Sequence, residues 1–261
     1  MAGGGKRAAS GPRASVWLAG RPDPAPRREG DQGAGLDRRR IVAATIRLLD
    51  AEGLEKFSMR RLAAELGVTA MSVYWYVDNK DDLLEYALDE IWAEVALPDP
   101  SDDGADWRDQ LRSLAEAYRR CLSAHPWVSH LVGRYLNLGP RSMAFSNATI
   151  AAMCRSGIPR ERVTGALAAL FQFVHGFCTI EGLYKERCRA AGVTENEYFR
   201  DVMNVVSATP EWAETYREAA EVAETWGKAG SVAEMRQRDF AYALDTVIAG
   251  IEVMRDRRSD D

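Results

Sequence analysis

Beyond residue 37 the apolar residues of this chain return every three to four positions, and nowhere do they alternate as a half-buried strand requires. Ile41, Thr45, Leu48 and Leu49 share one helical face, with Asp37 placed to cap the start and Gly53 to stop the end. Ser58 opens a second helix with Met59, Leu62, Ala63 and Leu66 at i, i+3, i+4 and i+7, and Gly67 closes it. Asn79 opens a third, with Asp81 and Asp82 in its first turn, where negative charge suits the helix dipole. Its apolar face runs through Leu83, Leu84, Ala87, Leu88, Ile91 and Trp92 to the breaker PDPSDDG at 98–104. Further helices are expected over 107–123, near 141–155, over 160–187, around 195–226 and over 232–256, punctuated by His125-Pro126, Gly139-Pro140 and Gly157 to Pro159. The expected fold is all-α, without internal repeats.

One stretch resists this pattern. Residues 68–77, VTAMSVYWYV, are dominated by β-branched and aromatic residues and suit a strand by propensity. Spacing decides otherwise. Ala63, Gly67 and Val73 stand four and six apart, as in a helix-turn-helix: a small residue where two helices cross, a glycine for the tight turn, and a plug on the second helix. Thr69 is then a cap. With Val73 turned inward, Ala70 and Val77 lie within about 60° of it, while Met71 and Trp75 point nearly opposite and Ser72 and Tyr74 flank them. A short helix that exposes such side chains fits a DNA major groove, where hydroxyls reach phosphates or base edges and Met reaches a thymine methyl. Arg60 is placed for a guanine edge or a phosphate, and Lys80 for a phosphate.

Charge supports a basic module on an acidic body. The net charge of −5 splits into +5 over residues 1–80, with 14 Lys/Arg against 9 Asp/Glu, and −10 over the rest, with 20 against 30. Residues 1–35 are rich in Gly, Ala, Arg and Pro and are expected to be a disordered basic arm. Arg21, Arg27 and Arg28 would enter the minor groove, while Trp17 and Leu18 would dock on a partner subunit or the body. The four cysteines form no CxxC pair, which fits a reducing cytoplasm. No signal peptide or membrane span is expected.

Residues 37–92, with RRRIVAATIRLLDAEGLEKFSMRRLAAELGVTAMSVYWYVDNKDDLL, resemble the DNA-binding domain of the tetracycline repressor (TetR) family, most specifically in Tyr-Trp-Tyr-Val and Asn-Lys. The resemblance implies a base contact for Arg60, and positions at or near DNA for Thr69, Ala70, Met71, Ser72, Tyr74, Tyr76 and Lys80. Trp75 joins them from the helical geometry alone. Three segments follow: the arm 1–35, a helix-turn-helix domain at 36–96, and an effector-binding and dimerisation domain at 97–261 that resembles the family's helical body.

That body would enclose an effector. Tyr118, His130, Gln172 and His175 are the candidate polar contacts, with Leu114 and Phe171 as apolar wall. His130, His175 and Glu181 do not fall in register with the family's magnesium ligands, and Leu114 stands where a polar drug contact is expected. A bulky hydrophobic or polyketide-like molecule is therefore expected, with no metal or cofactor. Helices 160–187 and 232–256 would pair two subunits in a four-helix bundle. Neither HExxH, GxSxG nor a phosphate loop is present, so an enzyme is not expected. The expected function is a homodimeric, effector-released repressor on double-stranded operator DNA. An activator of the same family, or a helical adaptor without effector, is the alternative.

Overall fold

The computed structural model describes residues 15–18, 35–99, 104–226 and 230–256. The first four helices are α1 (Arg38–Glu52), α2 (Met59–Leu66), α3 (Ala70–Tyr74) and α4 (Lys80–Glu90). After them come α5 (Trp107–Ala124), α6 (Pro140–Arg155) and α7 (Val163–Ala191). The chain ends in α8 (Glu195–Ser207), α9 (Pro210–Thr215), α10 (Arg217–Trp226) and α11 (Val232–Asp256). No strand occurs among the described residues. Short 3-10 turns at Ile91–Glu94, Pro126–His130 and Arg160–Arg162 were not evident in the periodicity.

Local signals set the early boundaries. Asp37, Ser58, Thr69 and Asn79 each accept a hydrogen bond from the backbone N–H three residues on, and each such cap contributes about 1 kcal/mol. Gly67 ends α2 at φ 67°, a conformation that a side chain would strain. At the other end of the chain, Thr194 and Glu197 form a reciprocal capping box on α8.

The chain forms two compact units, residues 1–97 with 124–148 and residues 98–123 with 149–261. This division departs from a single cut near residue 97, because long-range bonds draw 124–148 onto the first unit. Trp127 Nε1 donates to Asp50 at 2.7 Å, and Asp89 accepts from the Ser142 N–H at 2.8 Å, at the start of α6. Gly139 makes that second bond possible: a Cβ there would lie 2.1 Å from the Asp89 carboxylate. Ile41, Leu49, Leu62, Val73, Leu83 and Leu84 are buried in this unit. Each large side chain so buried adds roughly 1.5–3 kcal/mol.

The second unit is built on α5, α7 and α11. Leu111, Leu114, Leu170, Val174, Leu244 and Ile248 are buried in it. Phe240 stacks on Phe173 at 5.5 Å and meets Phe177 edge-on at 5.2 Å. Arg160–Ala191, which contains α7, is long and apolar enough by length and composition to cross a membrane, contrary to the sequence expectation. Only 22% of its most apolar window is buried within the chain, which leaves a long apolar face to account for.

Candidate nucleic-acid interface and the buried group of the second unit

The helix α3 divides its side chains as the spacing requires. Val73 and Val77 are buried against the rest of the first unit, and Thr69 caps the helix. On the other side Met71 is 74% exposed, Trp75 52% and Tyr74 41%. Ala70 is half-buried and Arg60, in the first turn of α2, is exposed. A five-residue helix has little stability of its own, so its position comes from packing. Burying one side while presenting a thioether, a phenol and an indole on the other leaves a rigid, shaped, largely uncharged surface. Such a surface offers groups that can meet base edges as well as phosphates.

Three residues expected at DNA are placed elsewhere. Tyr76 is buried, and its hydroxyl donates to the Leu36 carbonyl at 2.6 Å, tying the residue before the α1 cap to the turn after α3. Ser72 is buried as well, with its Oγ 3.0 Å from Thr69 Oγ1 in the capping turn. Lys80 Nζ donates to the Phe57 carbonyl at 2.8 Å and lies 5.2 Å from the Phe57 ring centroid, so its charge holds the turn after α1. Arg21, Arg27 and Arg28 lie outside the described residues. Trp17 packs on α4 of its own first unit, and Leu18 is exposed.

Four of the six expected effector residues sit in one part of the second unit, and three of them form one connected group. Tyr118 meets Phe171 edge-on at 5.6 Å, and its hydroxyl lies 3.2 Å from His175 Nδ1. Leu114, one turn earlier on α5, is buried. Burial pushes the Tyr118 phenol well above its ordinary value, so it stays a neutral donor. The other two are corrected. Gln172 is exposed, because one residue past Phe171 turns it about 100° away around α7. His130 ends the Pro126–His130 turn and is exposed on the first unit.

Sequence reasoning missed two polar clusters, since each joins residues far apart in the chain. In the second unit Arg119 bonds Gln237 at 2.8 Å and Glu181 at 3.3 Å, and its guanidinium lies 4.2 Å from the Phe240 ring centroid. Lys185 bonds the same Glu181 at 2.7 Å. Burial alone would raise the Glu181 carboxyl, but Lys185 and Arg119 outweigh it and hold it below its ordinary value. Glu181 thus neutralises the largely buried Arg119.

In the first unit His125 is buried between two carboxylates, with Nδ1 2.7 Å from Asp50 of α1 and Nε2 3.2 Å from Glu94. A neutral imidazole has one N–H and serves one carboxylate, whereas the doubly protonated ring serves both. Burial opposes the charged ring, but the bonds to Asp50 and Glu94 win, and the pKa rises above its ordinary 6.5. Because the unfolded ring titrates near 6.5, the added stability is complete below that pH and is lost as pH rises through the higher folded value. Melting temperature should therefore fall more steeply as pH rises above 6.5 in the wild type than in His125→Gln. Parallel curves would remove this role.

Residues 41–87 match the model of bacterial regulatory proteins of the tetR family, and residues 97–255 match the tetracyclin repressor-like C-terminal domain. An HTH-type transcriptional regulator of Saccharopolyspora erythraea is 37% identical over 155 residues, covering 59% of this chain and 65% of the relative. The HTH-type transcriptional repressor DrrR1 of Streptomyces coeruleorubidus is 32% identical over 161 residues, covering 62% of this chain and 59% of the relative. Both matches span under two thirds of the relative's own length. The TetR family protein ActR of Streptomyces coelicolor, solved in complex with actinorhodin, superposes with a TM-score of 0.69 at 26% identity, covering 85% of this chain and 99% of that one.

Proposed function

We propose that this chain, which belongs to the TetR family of bacterial regulatory proteins, is a ligand-responsive transcriptional repressor that works in the cytoplasm. It binds a near-palindromic operator as a homodimer and is released by a bulky, largely aromatic molecule. The observation that carries the reading is α3: its inner side is fixed by Val73 and Val77 while Met71, Tyr74 and Trp75 stand exposed. Arg60, at the start of α2, supplies the charged contact, and Thr69 and Ala70 line the edge of the same surface. Two such helices about one DNA turn apart, roughly 34 Å, would read two half-sites.

The effector class rests on Leu114, Tyr118, Phe171 and His175, which offer aromatic faces and two polar atoms but no cluster of charges. ActR, a relative of similar fold, holds actinorhodin, which supports an aromatic polyketide as the class. Homodimerisation accounts for the apolar face of α7. Gly165, Ala169, Gln172, Gly176, Ile180 and Leu183 recur at intervals of four and three along one stripe. A second copy, rather than lipid, is the proposed cover, since small residues on such a stripe let helix backbones approach.

The test is a mobility-shift and footprinting series on genomic fragments, including the region upstream of the chain's own gene, with actinorhodin as the probe molecule. A two-fold footprint is expected, with affinity that falls as salt rises, because displaced counterions dominate phosphate binding. Actinorhodin should release the complex. Absence of any specific fragment would overturn the regulator reading. Binding that is indifferent to actinorhodin and to related aromatic polyketides would overturn the effector class alone.

A further inference from the structure

The helix α4 joins the reading head to the rest of the chain, and three carboxylates stand along one face of it at i, i+4 and i+8. Each accepts a bond from outside the helix. Asp81 accepts from the Tyr135 hydroxyl at 3.1 Å, and Asp89 from the Ser142 N–H at 2.8 Å. Glu85, between them, accepts from the Ser15 hydroxyl and from the Val16 N–H. Ser15 also closes a turn, accepting the Leu18 N–H on its carbonyl at 2.9 Å. Ser15 and Val16 are buried, and the Trp17 indole meets the Tyr86 ring edge-on at 5.1 Å. Tyr86 carries the Arg38 guanidinium at 4.7 Å from its ring centroid, so the contact reaches the first residue of α1. Trp17 also lines a small cleft with Glu85, Leu88, Tyr135, Asn137 and Ser142. The segment therefore wedges between α4 and the stretch that leads into α6. It lies outside residues 41–87, which match the family's DNA-binding domain.

We propose that Ser15–Trp17 is an intramolecular strap that fixes α4, and that docking of this strap is coupled to operator binding. The first half stands on the geometry of the first unit; the second rests on the proposed function. The coupling follows from linkage. If α4 takes different positions in the free and operator-bound states, the strap bonds to Glu85 and Tyr86 differ in strength between them. Whatever changes the strap then changes DNA affinity by the same free energy. A helix held at three points along one face moves only if the middle point yields or travels with it. A strap supplied by a distant part of the chain also sets this threshold without altering the residues that read DNA.

Hydrogen exchange on the full-length protein tests the first half without DNA. In Ser15→Ala and Trp17→Ala the amides over 84–90 should exchange at least about tenfold faster, while those of α2 and α3 keep their protection. Trp17→Phe, which retains a ring edge for Tyr86, should restore most of it. Unchanged exchange in α4, or an equal rise throughout the first unit, overturns the strap. On an operator fragment, Trp17→Ala should shift the dissociation constant by about threefold or more in either direction. A localised rise in exchange with an unchanged dissociation constant overturns the coupling. Failure of the wild type to bind any fragment would count against the proposed function, and the exchange result would still judge the strap.

Discussion

A chain carrying Ile180→Glu and Leu183→Glu should sediment as a monomer and lose operator affinity by roughly a hundredfold or more, because linking two reading heads multiplies weak half-site binding. In one chain Ile180 is 71% exposed and Leu183 59%, on a 29-residue helix whose remaining stripe positions are mostly small. Tyr242, 77% exposed, and Val253 stand exposed on α11, which packs beside α7. Leaving that much apolar area in water is costly, at about 25 cal/mol for each Å² that a partner would cover. Carboxylates on the stripe would be desolvated without partners on pairing, which penalises the dimer far more than the monomer. Neither residue is buried within the chain, so helical content should persist in the variant. Sedimentation equilibrium reads the outcome, and a variant that remains dimeric would remove α7 as the pairing surface.

Single substitutions on the reading surface should act differently. Arg60→Ala and Tyr74→Ala are each expected to weaken operator binding by about 1–3 kcal/mol, roughly five- to 150-fold, while leaving the melting temperature unchanged because both side chains are exposed. Non-specific affinity should change much less than specific affinity. Lys80→Ala should show the opposite signature. Its ammonium holds the Phe57 carbonyl, so the head loses stability while the salt slope of DNA binding stays the same. A phosphate-bound lysine would instead lower that slope by about one. Titration of each variant against operator and random DNA at several salt concentrations separates these cases. Equal loss on both DNAs for Arg60→Ala would turn it into a backbone contact.

These contrasts mark where sequence reasoning reached its limit. The family resemblance puts Tyr76 and Ser72 at DNA, the helical wheel sets only Ser72 on the outer flank, and both are buried. The wheel gives the angle of a side chain on a helix. It does not give the depth of the neighbouring elements, and Leu36, forty residues away, reaches far enough to take the Tyr76 hydroxyl. Gln172 and His175 were paired as polar interruptions three residues apart. On α7 the second faces Tyr118, whereas the first falls on the exposed stripe. His130 sits in a segment that the contacts assign to the first unit. The Asp50–His125–Glu94 group carries no sequence signal beyond isolated charges, and in the Arg119–Glu181–Lys185 group only the i,i+4 spacing of Glu181 and Lys185 is legible.

The sequence by itself determined the all-helical class, the helix starts at Asp37, Ser58, Thr69 and Asn79, the glycine turn between α2 and α3, and the outward set Met71, Tyr74 and Trp75. All of these depend on bonds or periodicities within about four residues, which the order of residues states directly. Only the tertiary structure decided the inward fate of Tyr76, Ser72 and Lys80, the attachment of 124–148 to the reading unit, and the docking of Trp17 on α4. Apart from Ser72, whose hydroxyl meets Thr69 three residues away, those outcomes depend on bonds between groups tens of residues apart. Their strength comes from burial, and burial exists only once the elements have packed.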